Sequence, residues 1–171
     1  MTRLLTELKT RARLQLNAAK RATPPLDLRL RDCLHRVARD VGFAHWEHAR
    51  RVLGGDATPG DDMGTFWHAP ACSALLSGWF SRVDEARAAL EAEPGSYLLP
   101  YRRQFVVAGS DFIVELGLDP DDAAWHETRR DLVAAYGSDA WLALGFQRLK
   151  APRSTFAAAD AAFLRPARAG C

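Results

Sequence analysis

The sequence predicts a mainly helical single domain, with about six to eight short helices and one minor β element. The chain has 171 residues, of which 48% are hydrophobic and 26% charged, a composition typical of one ordinary globular domain. Apolar residues recur at steps of three and four along most of the chain, as they do on the buried face of a helix. Only residues 97–107 combine aromatic and β-branched residues in the manner of a strand, so we expect little sheet.

Residues 1–53 predict a basic three-helix module. An apolar stripe through residues 4–19 indicates the first helix, which a Thr-Pro-Pro run ends. Asp27 can cap a second helix, and Gly42 lies where a left-handed residue is expected after the end of that helix. A short third helix that carries Trp46 precedes a pair of glycines, which break it.

Residues 54–64 contain four glycines and one proline, a composition that predicts a linker or a mobile loop. The part that follows, residues 65–171, is predicted to be mainly helical. Pro70 suits the first turn of a helix that runs to about Phe80. Ser81 suits the N-cap of the next helix.

The β segment near residues 97–107 is followed by three further predicted helices. An Asp-Pro pair at 119–120 has the pattern of a cap and a first helical residue, and it predicts a helix through Ala135. Ser138 can cap the next helix. Residues 156–164 are rich in alanine and predict one more helix before a basic tail.

Positive charge is concentrated towards the two ends of the chain. Residues 1–51 hold 12 Lys and Arg against 5 Asp and Glu, residues 52–139 hold 6 against 15, and residues 140–171 hold 5 against 1. This asymmetry favours solvated helix faces or mutually attracting surfaces, with nucleic-acid binding through the basic N-terminal helices as an alternative. A helix-turn-helix motif is disfavoured, because His48 and Arg51 stand where that motif needs apolar residues.

The cysteines lie far apart in the sequence. Cys33, Cys72 and Cys171 include no C-x-x-C pair, so the sequence predicts neither a disulfide framework nor a zinc knuckle. This cysteine usage predicts a cytoplasmic protein. No apolar run is long enough to predict a secretory signal or a membrane span, and no motif indicates a cofactor.

The first three helices carry a packing pattern of apolar and turn residues. The pattern is Leu8-Lys9-x-Arg11-Ala12 followed by Cys33-Leu34-x-x-Val37-Ala38-Arg39-x-x-Gly42-Phe43-x-x-Trp46. Over about residues 5–53, it resembles the short helical module of bacterial glyoxalase-related proteins. The resemblance implies a fold fragment and carries over no metal ligand or catalytic group. Because the glyoxalase metal sites lie on a β-rich domain, it implies no lactoylglutathione lyase activity here.

Two histidines of the third helix are candidate metal ligands. His45 and His48 lie three residues apart and share a helix face, a spacing compatible with two imidazoles on one metal ion. Their His-Trp-Glu-His order differs from the H-E-x-x-H zinc motif. The alternative interpretation is a pair of exposed polar side chains beside Trp46.

Residues 61–72 crowd aromatic residues, carboxylates, one His and one Cys beside the loop, and they predict a binding pocket with Trp67 as a candidate ligand-binding residue. His68 and Cys72 are a candidate catalytic pair, because a helix N-terminus lowers the pKa of a thiol towards the reactive thiolate. The alternative is that Cys72 is a small buried apolar residue and that the aromatic residues pack the loop onto the core.

Tyr101, Arg102 and Arg103 are the remaining candidate ligand-binding residues. If their segment is one strand, alternation sends Arg102 and Gln104 to one face and Tyr101 and Arg103 to the other. One arginine then faces a cleft, where a guanidinium can bind a carboxylate or a phosphate through two parallel hydrogen bonds. The alternative is an edge-strand arginine that pairs with the acidic middle of the chain.

The sequence as a whole favours a non-enzymatic interaction or small-ligand-binding protein whose partner is a protein or a small molecule. Helical architecture, charge segregation and the lack of a complete catalytic set support this interpretation. The first alternative is an enzyme that uses His68 and Cys72, with Arg102 or Arg103 holding an anionic substrate. The second alternative is nucleic-acid binding, which would weaken steeply with salt.

Overall fold

The computed structural model of the protein describes residues 1–156. This part of the chain has seven α-helices, three β-strands and two short 3-10 turns, at Pro70–Ala74 and Arg153–Thr155. None of the described helices is long and apolar enough to cross a membrane. The helices are α1 (Arg3–Arg21), α2 (Leu30–Asp40), α3 (Trp46–Gly54), α4 (Val83–Ala92), α5 (Ser110–Glu115), α6 (Ala123–Glu127) and α7 (Asp139–Lys150). The strands are β1 (Leu76–Phe80), β2 (Tyr97–Tyr101) and β3 (Gln104–Ala108).

The sheet is antiparallel, with β3 in the middle of the order β1-β3-β2. Leu98 pairs with Val107, and Leu99 pairs with Val106. Because side chains alternate along a strand, Leu98 and Val107 share one face, where they pack with Ala86 of α4. Leu99 and Val106 point to the opposite face and join the main core. The sheet therefore lies between α4 and the main core.

Helices α1, α2, α3, α5 and α7 contribute to the main core, in which α5 contacts β3 of the sheet. Leu4 and Leu8 of α1 are fully buried in it, as are Trp141 and Leu144 of α7. The helix-rich class predicted from the sequence is confirmed, although the β part is a three-stranded sheet rather than one minor element. Core residues come from both sides of residues 54–64, so the two parts of the chain share one hydrophobic core. A domain division at this segment stays a prediction.

The predicted left-handed residue at Gly42 is confirmed. Its φ is +93°, and its carbonyl oxygen accepts hydrogen bonds from the backbone N–H and the hydroxyl of Thr65. A Cβ at Gly42 would lie 2.6 Å from that hydroxyl oxygen, which is too close for any side chain. Glycine is therefore required where the end of α2 meets the chain that enters the second half of the molecule.

The helix predicted from Pro70 to about Phe80 is wrong. Pro70 opens only a 3-10 turn, and Leu76–Phe80 form β1 instead. The strand forms because the segment pairs with β3, a long-range contact that a local pattern does not reveal. Helix α4 also begins one residue later than predicted, with Arg82 rather than Ser81 as its N-cap.

The β segment predicted near residues 97–107 is a hairpin of β2 and β3. Tyr101 pairs with Gln104, so Arg102 and Arg103 alone form the turn. The predicted alternation of these residues across one strand is therefore wrong. Arg102 has a left-handed backbone, with φ +52°, of the kind that two-residue hairpin turns require and that arginine rarely adopts.

The helix predicted over residues 119–135 is broken in its middle. Only α6 is helical, and Arg129 and Arg130 follow it with φ of +52° and +57°. The chain turns there because Asp131 forms a parallel β-bridge with Leu98. The backbone of Leu98 donates to the Arg130 carbonyl at 2.8 Å, and this pairing competes successfully with helix formation.

The other predicted helix boundaries have mixed outcomes. Ser138 caps α7 as predicted, because its hydroxyl accepts a hydrogen bond from a backbone N–H of the first turn. In α2 the N-cap is Arg29 rather than Asp27, and its backbone N–H donates to the carboxylate of Asp32 in the first turn. The helix predicted over residues 156–164 lies outside the described residues, except for its first position.

Candidate ligand-binding site

A cavity of about 270 Å³ lies on the α4 side of the sheet, and the segment 57–63 forms part of its wall. Three arginines line it: Arg87 from α4, and Arg102 and Arg103 from the hairpin turn. We call it the arginine cavity. The apolar part of its lining includes Met63, Val83, Pro100, Phe105 and Val133. It combines apolar surface with a few convergent polar groups, as small-molecule sites do.

The backbone of the hairpin turn is fixed by the loop beside it. The Arg102 N–H donates to the Gly64 carbonyl at 2.8 Å, and the Met63 N–H donates to the Arg102 carbonyl at 2.9 Å. This pair of hydrogen bonds holds Arg102 in its left-handed conformation and fixes the turn against the loop. The two turn arginines therefore start from a rigid backbone, which is the arrangement that a preorganised binding site needs.

Tyr136 anchors the wall of the arginine cavity at residue 57. Its hydroxyl accepts the backbone N–H of Ala57 at 3.1 Å and donates to the Val52 carbonyl at 2.7 Å. Burial raises the pKa of Tyr136 above its ordinary value, so the hydroxyl stays neutral. The tyrosine thereby connects the end of α3, the cavity wall and the segment before α7.

Asp61 closes the same wall at its other end. Its Oδ2 accepts the backbone N–H of Thr58 at 2.7 Å and the Thr58 hydroxyl at 2.9 Å, and Arg51 of α3 reaches it at 2.7 Å. The backbone and hydroxyl hydrogen bonds from Thr58, together with the Arg51 guanidinium, hold the pKa of Asp61 below its usual range. The segment 57–63 is thus tied to α3, to the hairpin turn and to Tyr136.

Arg87 forms an ion pair with Asp131, which follows α6 in the chain. Its Nε donates to Asp131 Oδ2 at 2.8 Å. The other carboxylate oxygen of the buried Asp131 accepts the backbone N–H groups of Val133 and Ala134, at 2.9 and 2.8 Å. This bond engages Nε of Arg87, and its two Nη groups, which carry the other donors of the guanidinium, have no hydrogen bond to residues 1–156.

The other two cavity arginines lie in the hairpin turn. The guanidinium of Arg102 lies 5.8 Å from the centre of the Tyr101 ring. Arg103 is exposed, and its side chain has no ion pair with any described residue. Arg103 is therefore the most accessible charge at the rim of the cavity.

The structure separates the aromatic candidates from the arginine cavity. Trp67 is fully buried and packs edge-to-face on Trp141, with 5.7 Å between ring centres. Tyr101 packs on His68 at 5.0 Å and on the half-exposed Trp79 at 4.8 Å. Neither Trp67 nor Tyr101 lines the arginine cavity, whereas Arg102 and Arg103 do.

His68 and Cys72 are both buried in the core, and no hydrogen bond joins them in the described part of the chain. The Cys72 thiol lies 3.8 Å from the Phe112 carbonyl oxygen as a weak donor. Burial raises the pKa of Cys72, and burial followed by the charge of Arg148 lowers the pKa of His68. Both shifts favour the neutral forms, a thiol and an imidazole, rather than a thiolate and an imidazolium.

Arg148 of α7 is the most unusual charged residue of the core, because it is completely buried and has no carboxylate partner among the described residues. Five hydrogen bonds of 2.6 to 3.4 Å engage its guanidinium, which also lies 3.7 Å from the Phe156 ring centre. Burial lowers the pKa of Arg148 to about 9, so it stays charged at neutral pH. The acceptors are the carbonyl oxygens of Phe66, His68, Leu116 and Thr155, and the Thr155 hydroxyl.

His45 and His48 accept hydrogen bonds from backbone N–H groups at the start of α3. His45 Nδ1 accepts the backbone N–H of His48 at 3.2 Å, and His48 Nδ1 accepts that of Ala44 at 3.2 Å. His35 Nδ1 accepts the N–H of Trp46 at 3.1 Å in the same way. Residues 1–156 contain no group of three or more His, Cys, Asp or Glu side chains that could hold a metal ion. The observed role of these histidines is to cap backbone donors.

Many basic side chains of the N-terminal helices form ion pairs within the molecule. Arg11 contacts Glu7 at 3.0 Å, Arg50 contacts Glu47 at 2.8 Å, and Arg51 contacts Asp61 at 2.7 Å. These pairs use part of the positive charge that the sequence places in residues 1–51. They favour the interpretation of this charge as solvated helix faces.

The sequence reasoning missed Arg87, Tyr136 and Arg148. The last of these had a readable signal, since Trp141, Leu144 and Arg148 follow each other at steps of three and four and so share the buried face of α7. Arg87 has no such signal, because its role depends on where α4 packs against the sheet. Thr58 and Asp61 carry a T-x-x-D spacing that is typical of a locally closed turn.

Comparisons with family profiles, with curated proteins and with solved structures find no match to this chain. The geometry of the arginine cavity and the chemistry of its lining are therefore the basis for assigning a function.

Proposed function

We propose that the protein binds a small organic anion in the arginine cavity without transforming it. The observation that carries this proposal is the placement of Arg87, Arg102 and Arg103 around one largely apolar cavity. Guanidinium groups are suited to carboxylates and phosphates, because their parallel N–H donors match two oxygen atoms at once. Asp61 is the one carboxylate of the lining, and Arg51 already neutralises it.

The size of the cavity supports a small ligand. Its volume of about 270 Å³ is close to the lower end of the roughly 300 to 1,000 Å³ that is typical of small-molecule sites. A compact ligand therefore suits it.

The state of the polar wall groups favours binding over catalysis. Tyr136 and Thr58 use their hydroxyls in hydrogen bonds within the wall, and Asp61 is held as an ion-paired carboxylate. His68 and Cys72 do not line the arginine cavity. A buried thiol with a raised pKa is also a weak nucleophile, which counts against the alternative of an enzyme that uses this pair.

Two wider proposals accompany this function. The free, buried thiols of Cys33 and Cys72 support a cytoplasmic location. The resemblance of residues 5–53 to the module of glyoxalase-related proteins is a proposal about packing, and the burial of its main apolar residues supports it. These residues are Leu8, Ala12, Cys33, Val37, Ala38, Phe43 and Trp46.

Isothermal titration calorimetry of the full chain with a panel of four anions tests the proposed function. The panel is 3-phenylpropanoate, benzoate, phenyl phosphate and glycerol 3-phosphate. We expect at least one to bind, and Arg103→Gln to weaken that binding about tenfold or more, because a charge-assisted hydrogen bond is lost. The matched control is Arg36→Gln, an exposed arginine of α2 outside the cavity lining, which should bind as the wild type does. Binding of none of the four, or equal weakening by both variants, would contradict the proposal.

A further inference from the structure

Two hydroxyl groups of the arginine cavity, those of Tyr136 and Thr58, already donate hydrogen bonds within the wall. The Tyr136 hydroxyl donates to the Val52 carbonyl at 2.7 Å and accepts the Ala57 N–H at 3.1 Å. The Thr58 hydroxyl donates to Asp61 at 2.9 Å. A ligand hydroxyl would therefore find no free donor on these two side chains, and against the apolar wall it would lose its water partners without replacement, which is unfavourable.

The remaining wall offers apolar surface from four separate parts of the fold. Val83 comes from α4, Pro100 and Phe105 come from the two hairpin strands, and Val133 comes from the segment after α6. Met63 closes the wall from the loop side, with a flexible side chain that adapts to the shape of its neighbour. These surfaces contribute to the free energy of binding when they cover the apolar part of a ligand and remove it from water.

The charged part of the lining comes from two elements of the fold. Arg102 and Arg103 are consecutive in the hairpin turn, and Arg87 lies on α4, where Asp131 holds its Nε. Arginines from two elements and an apolar wall together match a ligand that has one charged end and one apolar end. The cavity volume of about 270 Å³ suits one compact molecule that carries both ends.

We infer that the ligand is an amphipathic anion: one terminal carboxylate or phosphate on a compact apolar body without hydroxyl groups. This inference rests on the proposed function, which requires only that an organic anion binds. It distinguishes aryl and branched alkyl acids or their phosphates from hydroxy acids and sugar phosphates, which carry the same charge on a hydroxylated body.

Phenyl phosphate and glycerol 3-phosphate form the decisive pair of probes, because both carry a terminal phosphate monoester. Calorimetric titration of the full chain should give a Kd for phenyl phosphate at least about tenfold lower than that for glycerol 3-phosphate. Titration with 3-phenylpropanoate and with its neutral amide, 3-phenylpropanamide, shows whether a carboxylate serves as the anionic end. The acid should bind measurably more tightly than the amide if it does.

A wall variant locates the apolar end. Val133→Thr keeps the shape of the side chain and replaces a methyl group by a hydroxyl, so we expect phenyl phosphate to bind several-fold more weakly and glycerol 3-phosphate to be unaffected. If circular dichroism shows that this variant is misfolded, Met63→Gln on the opposite wall serves instead. Binding of glycerol 3-phosphate as tight as that of phenyl phosphate would overturn the inference and leave the proposed function intact. Failure of every anion to bind would instead contradict the proposed function itself.

Discussion

Arg148 and Arg103 have the same side chain, but the protein places them in opposite surroundings. Arg148 is completely buried, and its guanidinium donates to carbonyl oxygens from three separate segments: residues 66–68, Leu116 after α5 and Thr155 after α7. Arg103 is exposed at the hairpin turn, with no ion pair to any described residue. Both are charged at neutral pH, so charge alone does not distinguish their roles.

The difference lies in how far the N–H donors are satisfied. The N–H donors of Arg148 form hydrogen bonds within the fold, and these bonds hold the chain around Phe66 and His68 to the ends of α5 and α7. Arg103 instead lines a cavity in which the Tyr136 and Thr58 hydroxyls already donate hydrogen bonds within the wall. We therefore expect variants of Arg148 to change the free energy of unfolding, and variants of Arg103 to change ligand affinity.

Arg148→Met should produce the largest change in stability. Methionine fills much of the same space but leaves three buried carbonyl oxygens and one partly buried carbonyl oxygen without this donor, and we expect a loss of about 3 kcal/mol or more. Urea unfolding monitored by circular dichroism gives this value. Arg148→Lys keeps the charge with fewer donors and should fall between the wild type and Arg148→Met. A loss below about 1 kcal/mol for the methionine variant would show that these bonds contribute little.

Tyr136→Phe should have a smaller effect on stability and a visible one on binding. The variant removes the hydroxyl between Ala57 and Val52, which we expect to lower the free energy of unfolding by about 1 kcal/mol. Because the wall at residue 57 loosens, phenyl phosphate should also bind more weakly. Urea unfolding and calorimetry on the same sample measure both. Unchanged values in both experiments would contradict the role given to Tyr136.

His68 should make stability depend on pH below neutrality. Burial, followed by the charge of Arg148, lowers the pKa of His68 in the folded protein, so the unfolded chain takes up its proton first as the pH falls. This contribution to stability is complete above the unfolded pKa of about 6.5 and is lost as the pH falls below it. His68→Phe should flatten the unfolding free energy between about pH 7 and pH 5 relative to the wild type. The exposed His126→Gln is the control, and an equal slope in all three proteins would refute the assignment.

Arg103→Gln should change stability least. An exposed side chain without an ion pair among the described residues contributes little to folding, so the free energy of unfolding should stay within about 0.5 kcal/mol of the wild type. The same variant is expected to lose anion affinity, which is the reverse of the pattern for Arg148→Lys. A large loss of stability in urea unfolding would mean that Arg103 supports the hairpin rather than the ligand.

Features set by neighbouring residues could be predicted from the sequence, whereas features set by distant ones could not. The left-handed Gly42 and the cap at Ser138 follow from local chemistry and are confirmed. The strand Leu76–Phe80 depends on pairing with β3, which no local pattern contains. The hairpin turn lacks the Gly, Asn or Asp that normally marks such a turn, and its bonds to residues 63 and 64 stabilise Arg102 instead.

The candidate site was predictable only in part for the same reason. Arg102 and Arg103 could be named as anion ligands from their residue type, and both line the arginine cavity. Arg87 and Tyr136 join them through packing of α4 and of the segment before α7, which are long-range contacts. His68 and Cys72 are close in sequence, but the sequence does not show that both are buried in the core.

A titration of the ¹⁵N-labelled full chain with phenyl phosphate, followed by heteronuclear NMR, tests most directly where the protein binds its ligand. The arginine cavity predicts the largest amide shift changes at residues 57–63, at Arg102 and Arg103, and at residues 133–136. Changes centred instead on His68 and Cys72, or spread over the basic residues 3–51, would contradict the assignment of the arginine cavity as the binding site.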